Sequence, residues 1–88
     1  MSAALVTGAA TRLGRAMALG LAEAGFDIAI HYNASESDAR EVASLIEKQG
    51  RRAGLVKADL SKESETAGLI AAAVKAVGPL TLLVNNAS

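Results

Sequence analysis

An α/β chain with a doubly wound parallel sheet is the fold that this 88-residue sequence predicts, and three observations carry the prediction. Short apolar segments alternate with helical stripes of about 12–15 residues, the pattern of βαβ units. Segments such as "LTLLV" at 80–84 are apolar on both faces, as strands covered on both sides should be. Each helical stretch closes on a glycine, Gly25, Gly50 or Gly78, the residue that most readily ends a helix.

In order, "AALVTG" (3–8) is a short apolar run closed by a glycine turn, hence a buried first strand. Residues 12–24 place Leu13, Met17, Leu21 and Ala24 on one helical stripe. "FDIAIHY" (26–32) is the second strand. A helix from Ser35 or Ser37 to Gly50 turns Val42, Leu45 and Ile46 inward, and "AGLVKADL" (53–60) is the third strand. Ser61 is the expected cap of a third helix with Leu69, Ile70, Ala73, Val74 and Val77 on its stripe. "GP" at 78–79 stops that helix, and "LTLLVNNA" (80–87) forms the fourth strand.

Right-handed crossovers with strand order 3-2-1-4 put the first two helices on one face of the sheet and the third on the other. The whole of 1–88 reads as the dinucleotide-binding portion of a single Rossmann-type domain, its amino-terminal half (βαβαβαβ). One face then carries a single helix over four strands, and the most apolar strand is an open edge, which natural proteins normally avoid. On that ground the chain is expected to be cut short.

Composition narrows the function. Nine acidic and nine basic residues cancel, which argues against a nucleic-acid or membrane electrostatic footprint. With 51% apolar residues but only Phe26 and Tyr32 as aromatics, the core must be built of Ala, Val, Leu and Ile. The absence of cysteine excludes a disulfide scaffold and a thiolate metal site, and a cytoplasmic location is expected. No metal site is expected. No apolar run approaches the length of a membrane span, and the start leads straight into a strand rather than a signal peptide.

In a doubly wound sheet, ligands bind at the carboxyl ends of the strands where the strand order reverses, here between strands one and four. Four segments converge there: "TGAATRLG", "HYNAS", "ADL" and "NNAS". Singly, each has a plain structural reading: a tight turn, a strand-end histidine, a turn-forming aspartate, two asparagines tying down a loop. Four in order along one rim point to a dinucleotide site.

Together these segments resemble the short-chain dehydrogenase/reductase family. Its usual signatures, Thr-Gly-x-x-x-Gly-x-Gly and Asn-Asn-Ala-Gly, stand here as Thr7, Gly8, Arg12 and Gly14, and as Asn85, Asn86, Ala87 and Ser88. Arginine in place of the middle glycine, "HY" closing the second strand and "NNAS" are most similar to the pteridine reductases and their bacterial relatives. The resemblance spans this chain but only the first third to half of such an enzyme. The family's catalytic Tyr-x-x-x-Lys pair and serine have no match here, and Tyr32 has no lysine four residues on. No catalytic residue is therefore assigned.

Gly8 permits the turn, and Gly14 lets the helix pack close to the strand. A diphosphate would sit at the helix amino end beside Leu13, where free N–H groups and the dipole favour anions. Arg12 adds a fixed cation with forked donors. In the resembled subgroup this arginine also borders the substrate pocket. Arg15, and the pair Arg51 and Arg52, read as solvated.

An NAD site usually places an acid at the end of the second strand, to hold both ribose hydroxyls. Tyr32 stands there, and nothing acidic appears before Glu36. His31, Tyr32, Asn33 and Ser35 offer donors without repulsion, which suits a 2′-phosphate and so NADP(H). Ala34 stands where the relatives often carry arginine. Asp59 and Leu60 resemble the residues that bracket the adenine, and Asn86, Ala87 and Ser88 complete the expected cofactor-binding set. The resemblance implies a small-molecule carbonyl or pterin-like substrate and a homo-oligomer at full length. A non-catalytic dinucleotide-binding module or sensor is the other class. A methyltransferase-type sheet is disfavoured by the missing acid.

Overall fold

The computed structural model describes residues 2–86. The elements run β1 (Ala3–Val6), α1 (Arg12–Glu23), β2 (Asp27–Tyr32), α2 (Glu36–Lys48), β3 (Ala53–Lys57), α3 (Glu63–Val77) and β4 (Leu82–Val84). All strand pairings are parallel and the order is β3-β2-β1-β4, as the crossover rules require. Leu5 of β1 pairs with Ala29 of β2 on one side and with Leu83 of β4 on the other.

Strand periodicity sorts the core into two layers. Ala4, Val6, Ile28, Ile30 and Tyr32 face α1 and α2, where Ala18, Ala22, Ala39, Val42 and Ile46 cover them. Ala3, Leu5, Ala29, Val56 and Ala58 face α3, which contributes Leu69, Ala73 and Val77. β1 and β2 are buried along their whole length because both layers close over them. Among the described residues no helix is long and apolar enough to cross a membrane.

Two helical faces differ from the expected stripes. In α1 the buried residues are Gly14, Ala18 and Ala22, while Leu13 is 63% exposed, Ala24 is exposed, and Met17 and Leu21 only flank the core. At Gly14 the reason is steric, since the helix start lies against the turn after β1 with no room for a Cβ; Ala18 and Ala22 continue the same face into the core. In α3 the inward stripe is narrower than expected, with Ile70 45% and Val74 39% exposed. α3 packs over β3, β2 and β1, and these two side chains lie off that contact.

The strand and helix ends also shift. α3 begins at Glu63 rather than at a Ser61 cap, because Ser61 is drawn into a turn by Asp59. β4 has only three residues, with Leu82 and Leu83 exposed, so the expected open edge is present in the structure. Gly25, Gly50 and Gly78 all end helices with positive φ, as the sequence predicts.

Candidate functional site

The carboxyl ends of all four strands meet at one rim, and the turn after β1 is its centre. Gly8 adopts φ 63°, the left-handed conformation that glycine accepts without cost. Gly14, two residues into α1, lies directly against it. A Cβ on Gly14 would stand 2.0 Å from the Gly8 carbonyl oxygen and 2.6 Å from Asn86 Nδ2. Gly14 therefore admits no side chain at this junction, and a side chain on Gly8 would carry left-handed strain.

Arg12 opens α1 with φ 56° and is the described non-glycine residue with positive φ. A left-handed residue with a Cβ carries a strain of about 1–2 kcal/mol. The side chain is exposed. The start of α1 is also electrostatically distinct. α2 carries Glu36 and Asp38 in its first turn and α3 carries Glu63 and Glu65, whereas α1 has no acid there and no side-chain cap from Thr11. Its uncapped first-turn N–H groups and the Arg12 guanidinium therefore present unopposed positive potential. Leu13 sits exposed beside them.

At the end of β2, His31 is 3% exposed and both ring nitrogens are engaged. Gly8 N–H donates to Nδ1 at 2.9 Å, and Nε2 lies 2.9 Å from the Ala58 carbonyl oxygen. A donor at Nδ1 and a carbonyl at Nε2 select the neutral Nε2–H tautomer. His31 therefore has no ring donor left for a phosphate, which corrects the expectation that it offers one. Tyr32 differs as well, since its side chain packs into the α1/α2 layer rather than lining the rim. Asn33 is exposed, and Ser35 occupies the N-cap position of α2 without a side-chain cap bond.

At the end of β3, Asp59 Oδ1 accepts from the Ser61 N–H at 3.0 Å and from the Ser61 hydroxyl at 2.7 Å. These bonds favour the charged form and hold the Asp59 carboxyl below its usual range. Glu65 Oε1 accepts from the Asp59 N–H, which fixes the backbone there. Gly8, His31, Asn33, Ala58, Asp59, Leu60 and Ser61 enclose a cleft of about 320 Å³.

At the end of β4, Thr7 joins the two central strands. Its Oγ1 accepts from the Asn86 N–H at 2.8 Å and lies 3.3 Å from both the Val84 carbonyl and Asn85 Oδ1. Asn86 Nδ2 donates to the Gly8 carbonyl at 3.3 Å. The asparagine side chain thus ties the glycine turn to β4. Ala87 and Ser88 lie outside the described residues.

Of the expected site residues, the structure brings Gly8, His31, Asn33, Asp59 and Leu60 to one cleft, with Gly14 and Asn86 supporting its turn. Arg12 and Leu13 stand at the helix start outside the cleft lining, and Ser35 heads α2. Sequence reasoning missed the tie through Thr7, whose signal is a hydroxyl residue immediately before the glycine. It also missed Ser61, which holds Asp59. Arg15, expected to be solvated, is at the surface, where it pairs with the exposed Glu41 of α2.

Comparison with known proteins agrees with this geometry. A family model described as short chain dehydrogenase matches residues 2–88. The short-chain dehydrogenase/reductase homolog YusS of Bacillus subtilis is 42% identical over 85 residues, covering 97% of this chain and 78% of that protein. FolM alternative dihydrofolate reductase 1 from Brucella suis, crystallised in complex with NADP, superposes with a TM-score of 0.90 at 44% identity. Acetoin dehydrogenase from Enterobacter cloacae superposes with a TM-score of 0.93 at 39% identity. Each superposition covers 99% of this chain but 34% of the longer one, so the chain spans about a third of those two proteins.

Proposed function

Since the chain belongs to the short-chain dehydrogenase family, we propose that it is the cofactor-binding part of an NADP(H)-dependent oxidoreductase. One observation carries this reading: Gly14 pressed against the left-handed Gly8 turn, at a helix start that has no acid and carries Arg12. A backbone cradle next to unopposed positive potential fits a diphosphate. On this reading the first turn of α1, with Arg12 and Leu13, holds the diphosphate. Asn33 and Ser35 take the 2′-phosphate, and Asp59 and Leu60 border the adenine. Asn86 supports the glycine turn through its bond to the Gly8 carbonyl.

NADP(H), when bound, supplies a hydride. This chain's residues bind and orient it, and none of the described residues is assigned as a proton donor. Its single tyrosine is packed in the core, 8% exposed, and Glu36 stands four residues after it. Reduction of a carbonyl or pterin-like substrate is therefore assigned to an enzyme in which this unit is joined to a catalytic tyrosine, lysine and serine. The NADP-bound dihydrofolate reductase among the similar structures supports a pterin-ring substrate, since dihydrofolate contains that ring. The acetoin dehydrogenase supports a small carbonyl.

A second reading, a dinucleotide-binding module or sensor without catalysis, is favoured by one observation. The Bacillus relative is itself covered to 78% of its length by the match. Amide chemical-shift mapping of the chain with NADPH tests the shared core of both readings. Saturable shifts at Gly8, Arg12–Gly14 and Asp59 are expected, and their absence would remove both. A single-turnover hydride-transfer assay on the same sample then separates them from an active enzyme, with no turnover expected.

A further inference from the structure

His31 is the buried polar side chain to which three strand ends are tied. Its ring accepts the Gly8 N–H and donates to the Ala58 carbonyl, and its own backbone carbonyl accepts the Ala9 N–H at 3.0 Å. Two consecutive N–H groups of the glycine turn are thereby spent on one residue. In the cradles usually drawn for phosphates, such turn amides are the ones available to the anion. Here they are not, so anion recognition passes to the first turn of α1, whose N–H groups lack intrahelical partners.

The ring also lines the 320 Å³ cleft, and its two bonds join two of the cleft's walls, the Gly8 turn and the Ala58–Ser61 segment. A planar group bonded at both edges sets the distance between those walls more rigidly than apolar contact would.

We propose that His31 is a positioning residue for the dinucleotide: as the Nε2–H tautomer, its ring locks the Gly8 turn to the end of β3 and fixes the width of the cleft. The proposal rests on the dinucleotide reading above for its ligand, but the clamp stands in the unliganded chain. His31 works through Gly8 and Ala58, and its ring has no remaining donor for the ligand.

Two conservative variants separate the two bonds. In His31→Asn the amide oxygen falls near the position of Nδ1, so the Gly8 bond is kept and the Ala58 bond lost. In His31→Gln the amide nitrogen falls near Nε2, so the Ala58 bond is kept and the Gly8 bond lost. His31→Phe loses both.

The test is an imidazole ¹⁵N spectrum of the full chain, followed by NADPH titration of the wild type and all three variants, with circular dichroism confirming folding. The spectrum should show a neutral ring protonated at Nε2. NADPH affinity should fall about 5-fold for each single-bond variant and about 20-fold or more for His31→Phe, about one neutral hydrogen bond per step. A ring protonated at Nδ1 would overturn the clamp. A correct tautomer with unchanged affinity in folded His31→Phe would overturn the positioning role and leave the dinucleotide reading intact. Equal losses in all three variants would mean that melting of the rim, not either bond, sets affinity, and would also overturn it. Absence of NADPH binding by the wild type would overturn both this proposal and the reading on which it rests.

Discussion

The carbonyl oxygen of Gly8 occupies the space that a side chain on Gly14 would need, 2.0 Å from where its Cβ would lie. Backbone cannot retreat as a flexible side chain can, and Asn86 closes the other side. Gly14→Ala is therefore expected to push α1 off the turn. The cost should be at the upper end of overpacking, about 3 kcal/mol or more, with loss of dinucleotide binding. Gly20 and Gly68, inside α1 and α3, have nothing within 4 Å of such a Cβ. Alanine there should stabilise by about 0.4–1 kcal/mol. Three melting curves check both signs; destabilisation by all three substitutions would contradict the steric account.

Arg12 presents the opposite case, a side chain where glycine would be relaxed. Arg12→Gly should keep or raise stability, by up to about 1 kcal/mol from released backbone strain. Dinucleotide affinity should fall by about 1–3 kcal/mol as a charged hydrogen-bonding group is lost. Unchanged binding would return Arg12 to the status of a solvated surface residue.

The cofactor test belongs at Ala34 and not at Tyr32. Tyr32→Asp would put a carboxylate into the α1/α2 core and measure folding. Ala34 is exposed beside Asn33 and Ser35. Ala34→Arg should tighten NADPH by about 1–2 kcal/mol and leave NADH unchanged, and Ala34→Asp should weaken NADPH alone. Parallel changes for both cofactors would place the 2′-phosphate elsewhere.

Asp59→Asn keeps an acceptor for Ser61 while removing the charge, so the turn should persist. Affinity for NADPH should fall several-fold, and preference over the hypoxanthine analogue, which lacks the amino group, should disappear. The acid limb follows from the same carboxylate. Its folded-state pKa is lowered, so its small contribution is present above the unfolded value of about 3.9 and is lost as pH falls through the folded one. Stability near neutral pH should not change on its account.

The open edge makes its own prediction. Leu82, Leu83, Ile70 and Val74 are exposed on β4 and the neighbouring α3. Sedimentation velocity should show concentration-dependent self-association that Leu83→Lys reduces. A monomer at all concentrations would show that this patch is tolerated in water.

Most of the fold was legible because strand periodicity, helix-ending glycines and crossover handedness are local or general rules. Where reading failed, the deciding contact was not local. The face of α1 was misread by one position because Gly14 is buried for its smallness, not its hydrophobicity, and Ala18 and Ala22 continue its face. His31 was legible as a rim residue, but its partners Gly8 and Ala58 lie 23 and 27 residues away. Spacing alone cannot show that its ring is already occupied. Ser61 resembles a helix cap, and only its bonds to Asp59 show that it serves the turn instead.

Whether this rim binds a phosphorylated dinucleotide is decided by calorimetric titration of the chain with NADPH and NADH at physiological salt. Saturable one-to-one binding of NADPH is expected, tighter than NADH by the worth of a few charge-assisted bonds, about tenfold or more. No saturable binding, or equal constants for the two cofactors, would contradict it.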